Sequence, residues 1–329
     1  MGCHRFGAAV AALLVCSCGG GDGGAGGSIP VVPVPTPTST PAPSPTPSPT
    51  PTPSPTPTPS PSYETAYDLS RDRSFALTTA QLTAIAISGS AGFTYGSIAS
   101  ALINPAQTPT LTYVFASQDA NIVFGNGAPR TYVQSQISTR GPDRVTYTAP
   151  DGFLSLSQPG PSIGGFTSGL RSVLLVVQDV TTRDATGNLN IIERRSVGGS
   201  STVASDVPRT GTASYRVLLT SISHTPSGTN GFTAQDATLT LDYAAGTVRG
   251  TITATSTVSN VPARTIMFTV TGQLSGTSNR LVGSITGADG STGQFAGELY
   301  GTAGIELGFA FSFQNSGEQV AGTVVGDRR

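Results

Sequence analysis

His224 is the first residue to consider for chemistry, because the 329-residue chain has two histidines and no lysine, and the other histidine, His4, lies at the N-terminus. A hydrolytic triad needs a histidine base beside a positioned nucleophile, and no Gly-x-Ser-x-Gly motif supplies one. Without lysine there is no Ser-Lys dyad, Schiff base or P-loop. One histidine is too few for a zinc site. We therefore expect no catalytic residue and no metal site.

Two acidic patterns leave alternatives to this interpretation. Asp289-Gly290-Ser291-Thr292-Gly293 resembles the loop of an aspartic protease, but a β-turn explains the same residues. A carboxylate pair of the glycosidase type is compatible with the composition, although the acids do not cluster along the sequence. We interpret the chain as a protein that is not an enzyme.

The low charge of the chain excludes one class of partner. Charged residues make up 11% of the sequence, against about 25% in a typical protein, and the formal net charge is -1. Nucleic acids and anionic headgroups are bound through clusters of basic side chains, which such a composition does not provide. We expect no nucleic-acid partner.

The N-terminus predicts export and lipid attachment. A basic start is followed by the apolar run 8–15, which is the core of a signal peptide and too short to span a bilayer. Val15-Cys16-Ser17-Cys18 resembles a bacterial lipobox, so residues 1–17 would be removed and Cys18 acylated; an ordinary secretory signal is the alternative. Gly19 after the cysteine favours the outer membrane, at the cell surface or the periplasmic face. The mature chain would then keep one acylated cysteine and form no disulfide.

A spacer follows the lipid-attachment site. Residues 18–62 are first glycine-rich and then alternate proline with serine and threonine. This composition cannot form a packed core, so we predict a disordered, polyproline-like linker. The linker could be a stalk that carries a domain away from the membrane, or a neutral connection, and its hydroxyl side chains could carry glycan.

The remainder predicts an all-β fold in two units. Residues 205–329 contain eight runs of alternating apolar residues separated by turn signals, the pattern of an eight-stranded antiparallel up-and-down barrel. Residues 63–204 give less regular strand signals and one long hairpin, Val173–Arg183 with Leu189–Val197. Within this β-rich unit, Thr78–Ile85 could begin a short helix. We place His224 on a long loop between the first two barrel strands.

Four stretches of the C-terminal unit resemble the barrel domain of transferrin-binding protein B and its relatives. The stretches are Thr210–Tyr215, Leu239–Gly250, Gly297–Gly308 and Val320–Gly326. The most specific part of the resemblance is a set of five signature residues, Gly297, Tyr300, Gly301, Glu306 and Gly308. Leu299, Thr302 and Phe309 depart from the family pattern, which favours the broader group of transferrin-binding-protein-like solute-binding proteins. The resemblance implies a β-rich handle before the barrel.

The five signature residues have a structural interpretation and a functional one. Gly297 and Gly301 would flank a turn that has no room for a side chain or needs positive φ, and Glu306 could cap backbone N–H groups. A direct ligand role for Tyr300 or Glu306 is the alternative. We favour the structural interpretation, because a fold alone does not identify a ligand.

The resemblance also implies a binding role. Such a protein would be held on the membrane by its lipid and would capture a small solute, or an iron- or haem-carrying protein, for an outer-membrane transporter. No cofactor is expected, but haem is a possible ligand, and His224 could then bind its iron axially. A solvated loop residue is the other interpretation of His224. An adhesive or structural surface lipoprotein without a transport role is the alternative function.

Overall fold

The computed structural model describes residues 61–89, 92–103, 108–125, 127–161, 166, 169–256, 264–276, 278–314 and 317–329. The predicted signal peptide, Cys18 and nearly all of the predicted linker lie outside these residues. Within the described part of the chain, the regular elements are β-strands and short 3-10 turns. The predicted all-β fold class is confirmed.

Eleven strands precede the barrel, and we call this part the handle. They are β1 Arg73–Ala76, β2 Thr78–Gly89, β3 Gly92–Leu102, β4 Thr110–Val114, β5 Asp119–Val123, β6 Arg130–Tyr132, β7 Ile137–Arg140, β8 Arg144–Ala149, β9 Gly152–Ser157, β10 Val173–Arg183 and β11 Leu189–Gly199. They form a four-stranded sheet, β1-β4-β5-β6, and a seven-stranded sheet, β3-β2-β11-β10-β9-β8-β7. A shared core of buried side chains joins the two sheets, with Tyr132 and Tyr147 among its largest members.

The helix considered at Thr78–Ile85 is wrong, because this segment lies in β2. The buried apolar side chains of β2 are at every second residue, Ala80, Leu82, Ala84 and Ala86, which is the period of a strand with one buried face. Pairing with β11 on one side and β3 on the other satisfies the backbone. Burial of the alternate face therefore overrides the helix propensity of alanine and leucine.

The C-terminal part closes into the predicted barrel. Its strands are β12 Thr212–Thr225, β13 Gly228–Asp242, β14 Thr247–Ser256, β15 Thr265–Leu274, β16 Arg280–Gly287, β17 Thr292–Tyr300, β18 Glu306–Gln314 and β19 Gln319–Arg328. Each strand pairs antiparallel with the next, and β19 pairs with β12. The eight-stranded up-and-down topology is confirmed.

Phenylalanine rings fill the barrel interior. Phe268 lies 5.8 Å from Phe311 and 5.7 Å from Phe313, and Phe295 lies 4.6 Å from Phe309, all measured between ring centroids. These distances are typical of packed aromatic pairs. The interior is therefore a hydrophobic core, and a ligand site on the barrel has to lie at an end or on its outer face.

The long loop predicted between the first two barrel strands is wrong. Strands β12 and β13 form one long hairpin. Their pairing continues to Thr225 and Gly228, which are joined by a tight turn at Pro226-Ser227. The residues at this end are mostly serine, threonine and glycine, so the strands lack the apolar alternation that sequence analysis detects. His224 is consequently a strand residue.

The handle packs against the outer face of the barrel through small residues. Ala80 and Leu82 of β2 are buried with Ala310 of β18 and Ala321 of β19. Edge strand β3 crosses the same side, and the Tyr95 amide donates to the Pro226 carbonyl at 3.1 Å. Small side chains let the two backbones approach, so the buried face of β2 packs directly on the outer wall of the barrel.

Candidate functional site

Tyr300, Gly301 and Glu306 lie at the turn from β17 to β18, against the handle, whereas Gly297 and Gly308 lie within the two strands. Gly301 has φ 71° and Gly304 has φ 61°, a region that glycine enters without steric cost. Gly297 is not at the turn as predicted; it lies within β17 and faces the barrel interior beside Phe309. The Tyr300 ring is buried and covers Gly308, whose added Cβ would lie 3.2 Å from the ring.

Glu306 fastens this turn to the handle. Its carboxylate accepts hydrogen bonds from the backbone N–H groups of Arg171 at 2.7 Å, Ser172 at 2.8 Å and Val173 at 3.0 Å. Burial raises the pKa of the Glu306 carboxyl, while the three donors oppose the rise. The contacts of the signature are therefore made within the chain, and they hold the start of β10 on the barrel.

Two tyrosines close the barrel end nearest this turn. The Tyr215 and Tyr243 hydroxyls lie 2.7 Å apart, and the Tyr215 hydroxyl donates to the Gly304 carbonyl at 2.5 Å. Tyr215 is fully buried. Burial raises the pKa of its phenol, and the contact with Tyr243 acts in the same direction. The interior of the barrel is therefore closed at this end by a polar contact.

An alkaline titration tests the buried tyrosines. Burial raises the pKa of Tyr67 from 10 to about 12 and also raises the pKa values of Tyr147 and Tyr215. A phenol with a raised folded-state pKa stabilises the protein below pH 10 and loses that contribution as pH rises through the folded value. We expect the urea midpoint to fall between pH 10 and 12. Ultraviolet difference spectra should show these phenols ionising together with unfolding; free titration near pH 10 would contradict their burial.

His224 lies buried between handle and barrel, 1% exposed, so the interpretation as a solvated loop residue is wrong. Its Nε2 lies 2.8 Å from Glu193 Oε2 on β11, and its Nδ1 lies 2.7 Å from Thr229 Oγ1. The Tyr95 ring of β3 packs on the imidazole at 4.5 Å. Both ring nitrogens are engaged, so axial binding of haem iron requires these contacts to open.

A double-mutant cycle tests the contact between His224 and Glu193. Each alanine substitution leaves the other polar group buried, and we expect a loss of about 2 kcal/mol in unfolding free energy for each. The double variant should cost less than the sum, with a coupling energy of about 1–2 kcal/mol from urea denaturation. Strictly additive losses would show that the two side chains do not stabilise the interface as a pair.

The opposite end of the barrel holds an open cavity of about 350 Å³, which we call the mouth cavity. It is bounded by the start of β15, the turn from β16 to β17, the end of β18 and the start of β19. The lining residues are Arg264, Thr265, Ile266, Met267, Phe268, Gly287, Ala288, Asp289, Ser291, Phe313 and Glu318. Ligand pockets are commonly of about 300–1,000 Å³ and combine apolar walls with a few polar groups. The mouth cavity meets both criteria.

The polar wall of the mouth cavity is built by a charged pair and a turn. The Arg264 guanidinium binds both Glu318 carboxylate oxygens, at 2.8 and 2.5 Å, and Ser223 donates to the same carboxylate at 2.7 Å. Asp289 accepts from the Ser291 amide at 3.0 Å and hydroxyl at 2.6 Å. The segment compared with an aspartic-protease loop is therefore a β-turn closed by its aspartate.

Sequence analysis missed the mouth cavity because its residues come from distant parts of the chain. Arg264 and Glu318 are 54 positions apart, and neither belongs to a motif. The usable signal was limited to the alternation that ends at Phe313. Among the described residues, no group of three His, Cys, Asp or Glu side chains could hold a metal ion. No helix in the described part of the chain has the length and hydropathy to cross a membrane.

Comparison with known proteins supports the predicted resemblance. Residues 207–328 match the family model described as "C-lobe and N-lobe beta barrels of Tf-binding protein B". A search of curated proteins found no match.

Several solved structures are similar. A mutant of the vaccine antigen Transferrin Binding Protein B from Actinobacillus pleuropneumoniae has 12% identity and a TM-score of 0.38, over 76% of this chain and 99% of that chain. The apo haemoglobin receptor HpuA from Kingella denitrificans has 15% identity and a TM-score of 0.35, over 82% and 91%. The N-lobe domain of Lactoferrin Binding Protein B from Moraxella bovis has 12% identity and a TM-score of 0.33, over 53% and 79%.

The match to the family model begins at Val207, just before β12, and ends at Arg328, the last residue of β19. It therefore spans the closed barrel from its first strand to its last, including the signature turn. Residues 207–328 of this chain form a β-barrel domain of the Tf-binding protein B family.

Proposed function

We propose that this chain is a lipid-anchored binding protein of the bacterial envelope, which captures a solute or an iron- or haem-carrying protein for uptake across the outer membrane. The observation that carries the proposal is the match of residues 207–328 to the barrels of a protein named for binding transferrin. The mouth cavity adds an open site on that barrel.

The proposal is for binding rather than catalysis. Both ring nitrogens of His224 are hydrogen-bonded within the protein, to Glu193 and Thr229, so the imidazole is not positioned as an exposed general base. The charged side chains of the mouth cavity are also used in the fold, since Glu318 is paired with Arg264. A site of this kind recognises a ligand by shape and charge.

Lipid at Cys18 would keep the protein at the outer membrane, on the cell surface or the periplasmic face. Metabolic labelling with an alkyne fatty acid tests this anchor. We expect Cys18→Ser to abolish the label and release the protein into the soluble fraction, because a thioether at that residue would carry the lipid. Cys16→Ser is the matched control and should stay labelled. Loss of label in the control alone would place the lipid on Cys16.

Capture is tested by surface plasmon resonance with the full mature chain. Iron-loaded transferrin, lactoferrin and haemoglobin are passed over the chain, and haemin is titrated in solution with the Soret band as readout. Saturable binding of any one, at a Kd of about 10 µM or below, supports the capture role. A Soret shift lost in His224→Ala would make His224 the haem ligand despite its present contacts.

Failure of all four ligands would overturn the iron- and haem-protein part of the proposal. Adhesion is then tested by comparing the attachment of cells with and without the protein to glass and to cell-wall polymer. Loss of attachment in the deletion strain, without a growth defect on limiting iron, would establish the adhesive alternative.

A further inference from the structure

A second cavity, of about 530 Å³, lies where edge strand β3 of the handle crosses the outer wall of the barrel, and we call it the flank cavity. The end of β3 forms one side, and residues of β16, β17 and β18 form the other. Ligand pockets are common where two structural units meet, and they are typically of about 300–1,000 Å³. The flank cavity is therefore large enough for a small-molecule ligand.

The handle side of the flank cavity is fixed by contacts with the barrel. The Gln319 side-chain oxygen accepts from the Ser100 amide at 3.2 Å and from the Ser100 hydroxyl at 2.9 Å. The same hydroxyl lies 3.4 Å from the Phe313 carbonyl oxygen. Leu102 is partly buried against the small residues that join handle and barrel. A ligand would therefore enter a site whose walls are already ordered, at little cost in conformational entropy.

The barrel side presents an array of uncharged polar side chains. Ser284, Gln294 and Ser312 are paired in register across β16, β17 and β18. Thr292 and Gln314 pair with each other two positions away on β17 and β18. Positions two apart in a strand share a face, and neighbouring strands lie about 4.8 Å apart, so these five side chains form one patch. All five line the cavity, and their hydroxyl and amide groups both donate and accept hydrogen bonds.

Ser312 is the residue that points to a ligand. It is 9% exposed and lies on the outward face of β18, where it lines the flank cavity. Within the described part of the chain, its hydroxyl has no hydrogen-bond partner. Buried hydroxyl groups are nearly always hydrogen-bonded in folded proteins. A polar ligand in the cavity would supply the partner that the chain itself does not.

The charge of the flank cavity limits the kind of ligand. Every described residue that lines it is uncharged. An ammonium or carboxylate group that moved from water into such a site would lose its hydration without gaining a partner of opposite charge. A ligand with several uncharged groups that both donate and accept hydrogen bonds fits the array better than an ion or a purely apolar molecule.

We infer that the flank cavity binds a neutral saccharide unit. The sugar hydroxyl groups would exchange hydrogen bonds with the serine, threonine and glutamine side chains of the barrel wall, Ser312 among them. The C–H face of the ring would pack on Ala101 and Leu102 of β3. The inference rests on the proposed binding role and names the chemical class of the solute.

Calorimetric titration of the full mature chain tests the inference, with maltose, lactose and cellobiose as neutral probes. We expect at least one of them to bind saturably, with a Kd of about 5 mM or below. Glucose should compete with the bound disaccharide. Glucosamine and glucuronate have nearly the same ring but carry a charge, so they should compete at least about 5-fold less well. No saturation by any of the three disaccharides, or equal competition by the charged sugars, would overturn the inference.

Hydroxyl deletions locate the recognition. Ser312→Ala and Thr292→Val each remove one hydroxyl from the cavity, and we expect the bound disaccharide to bind about 5-fold weaker or more in Ser312→Ala. Thr240→Val is the matched control, because Thr240 is an exposed residue of the same outer wall on β13, four strands away from Thr292. It should bind like the wild type. The urea midpoints of all three variants should match that of the wild type, so an unchanged affinity in Ser312→Ala would place the sugar elsewhere and overturn the inference.

The outcomes also separate this inference from the proposed function. A chain that binds transferrin, lactoferrin, haemoglobin or haemin but no neutral sugar retains the capture role and loses the saccharide site. A chain that binds a neutral sugar through Ser312, and none of the four, keeps the saccharide as its solute. Dextran beads distinguish the two sources of such a sugar. Retention that Ser312→Ala abolishes would support a site for a polymer chain, and binding of free sugars alone would support a site for a small solute.

Discussion

Replacing Glu306 with alanine is expected to lower the free energy of unfolding by about 3–5 kcal/mol, because it leaves three backbone N–H groups without their acceptor. A buried donor without a partner costs about 1–3 kcal/mol. Glu306→Gln keeps one acceptor oxygen, so its free energy of unfolding should lie between those of Glu306→Ala and the wild type. Urea denaturation followed by circular dichroism gives the values, and hydrogen exchange should show the amides of residues 171–173 losing protection.

The control for Glu306 is Glu298→Ala on the neighbouring strand. Glu298 accepts from the Ser201 hydroxyl at 2.6 Å in an exposed contact, so its loss should cost less than about 1 kcal/mol.

The pH dependence of stability is a second readout for Glu306. Burial raises the pKa of Glu306, so its contribution is largest below pH 4.5 and decreases as pH rises through the folded value. Equal midpoints for both variants would show that Glu306 does not fasten the handle.

Replacing Gly297 with alanine is expected to destabilise the barrel by about 3 kcal/mol or more, and in a protein of ordinary stability this can prevent folding. An added Cβ would lie 2.1 Å from the Gly308 carbonyl oxygen and 2.4 Å from the Phe309 Cα. Both atoms belong to the backbone of β18, which is fixed by pairing on both sides. The strands would have to separate to make room. Soluble yield and thermal unfolding measure the effect.

Gly276→Ala is the matched control for Gly297. An added Cβ at Gly276 meets no heavy atom within 4 Å, and the residue lies in the turn from β15 to β16. We expect a change within about 0.5 kcal/mol. If Gly297→Ala unfolds at the same temperature as this control, the close approach of β17 and β18 does not require a glycine at this position.

Both predictions assign the family signature to the architecture of the molecule. Glu306 holds the handle, Gly297 admits β18, Gly301 makes the turn and Tyr300 covers Gly308. A signature of this kind marks the fold, and it leaves the choice of ligand to residues outside it. The mouth cavity is composed of such residues, at the opposite end of the barrel.

The sequence by itself was enough to predict the strands and turns, because these depend on residues that are close along the chain. Alternation of apolar residues, as in Phe309, Phe311 and Phe313, indicates a strand with one buried face, and short turns between such runs order the strands as a meander. The long hairpin in the handle was predicted for the same reason. Where alternation is weak, as in β3 and at the tips of β12 and β13, the sequence carries no clear strand signal.

The tertiary structure alone decided the environments of the chemically important residues. His224 is buried because β11 and β3 of the handle lie across the end of β12, and Glu306 finds its donors about 134 positions away. Arg264 meets Glu318 only after the barrel closes. These contacts depend on how whole sheets are placed, and a local pattern carries no information about distant partners. The sequence therefore determined the barrel and its signature turn, whereas closure of the barrel and docking of the handle created the site.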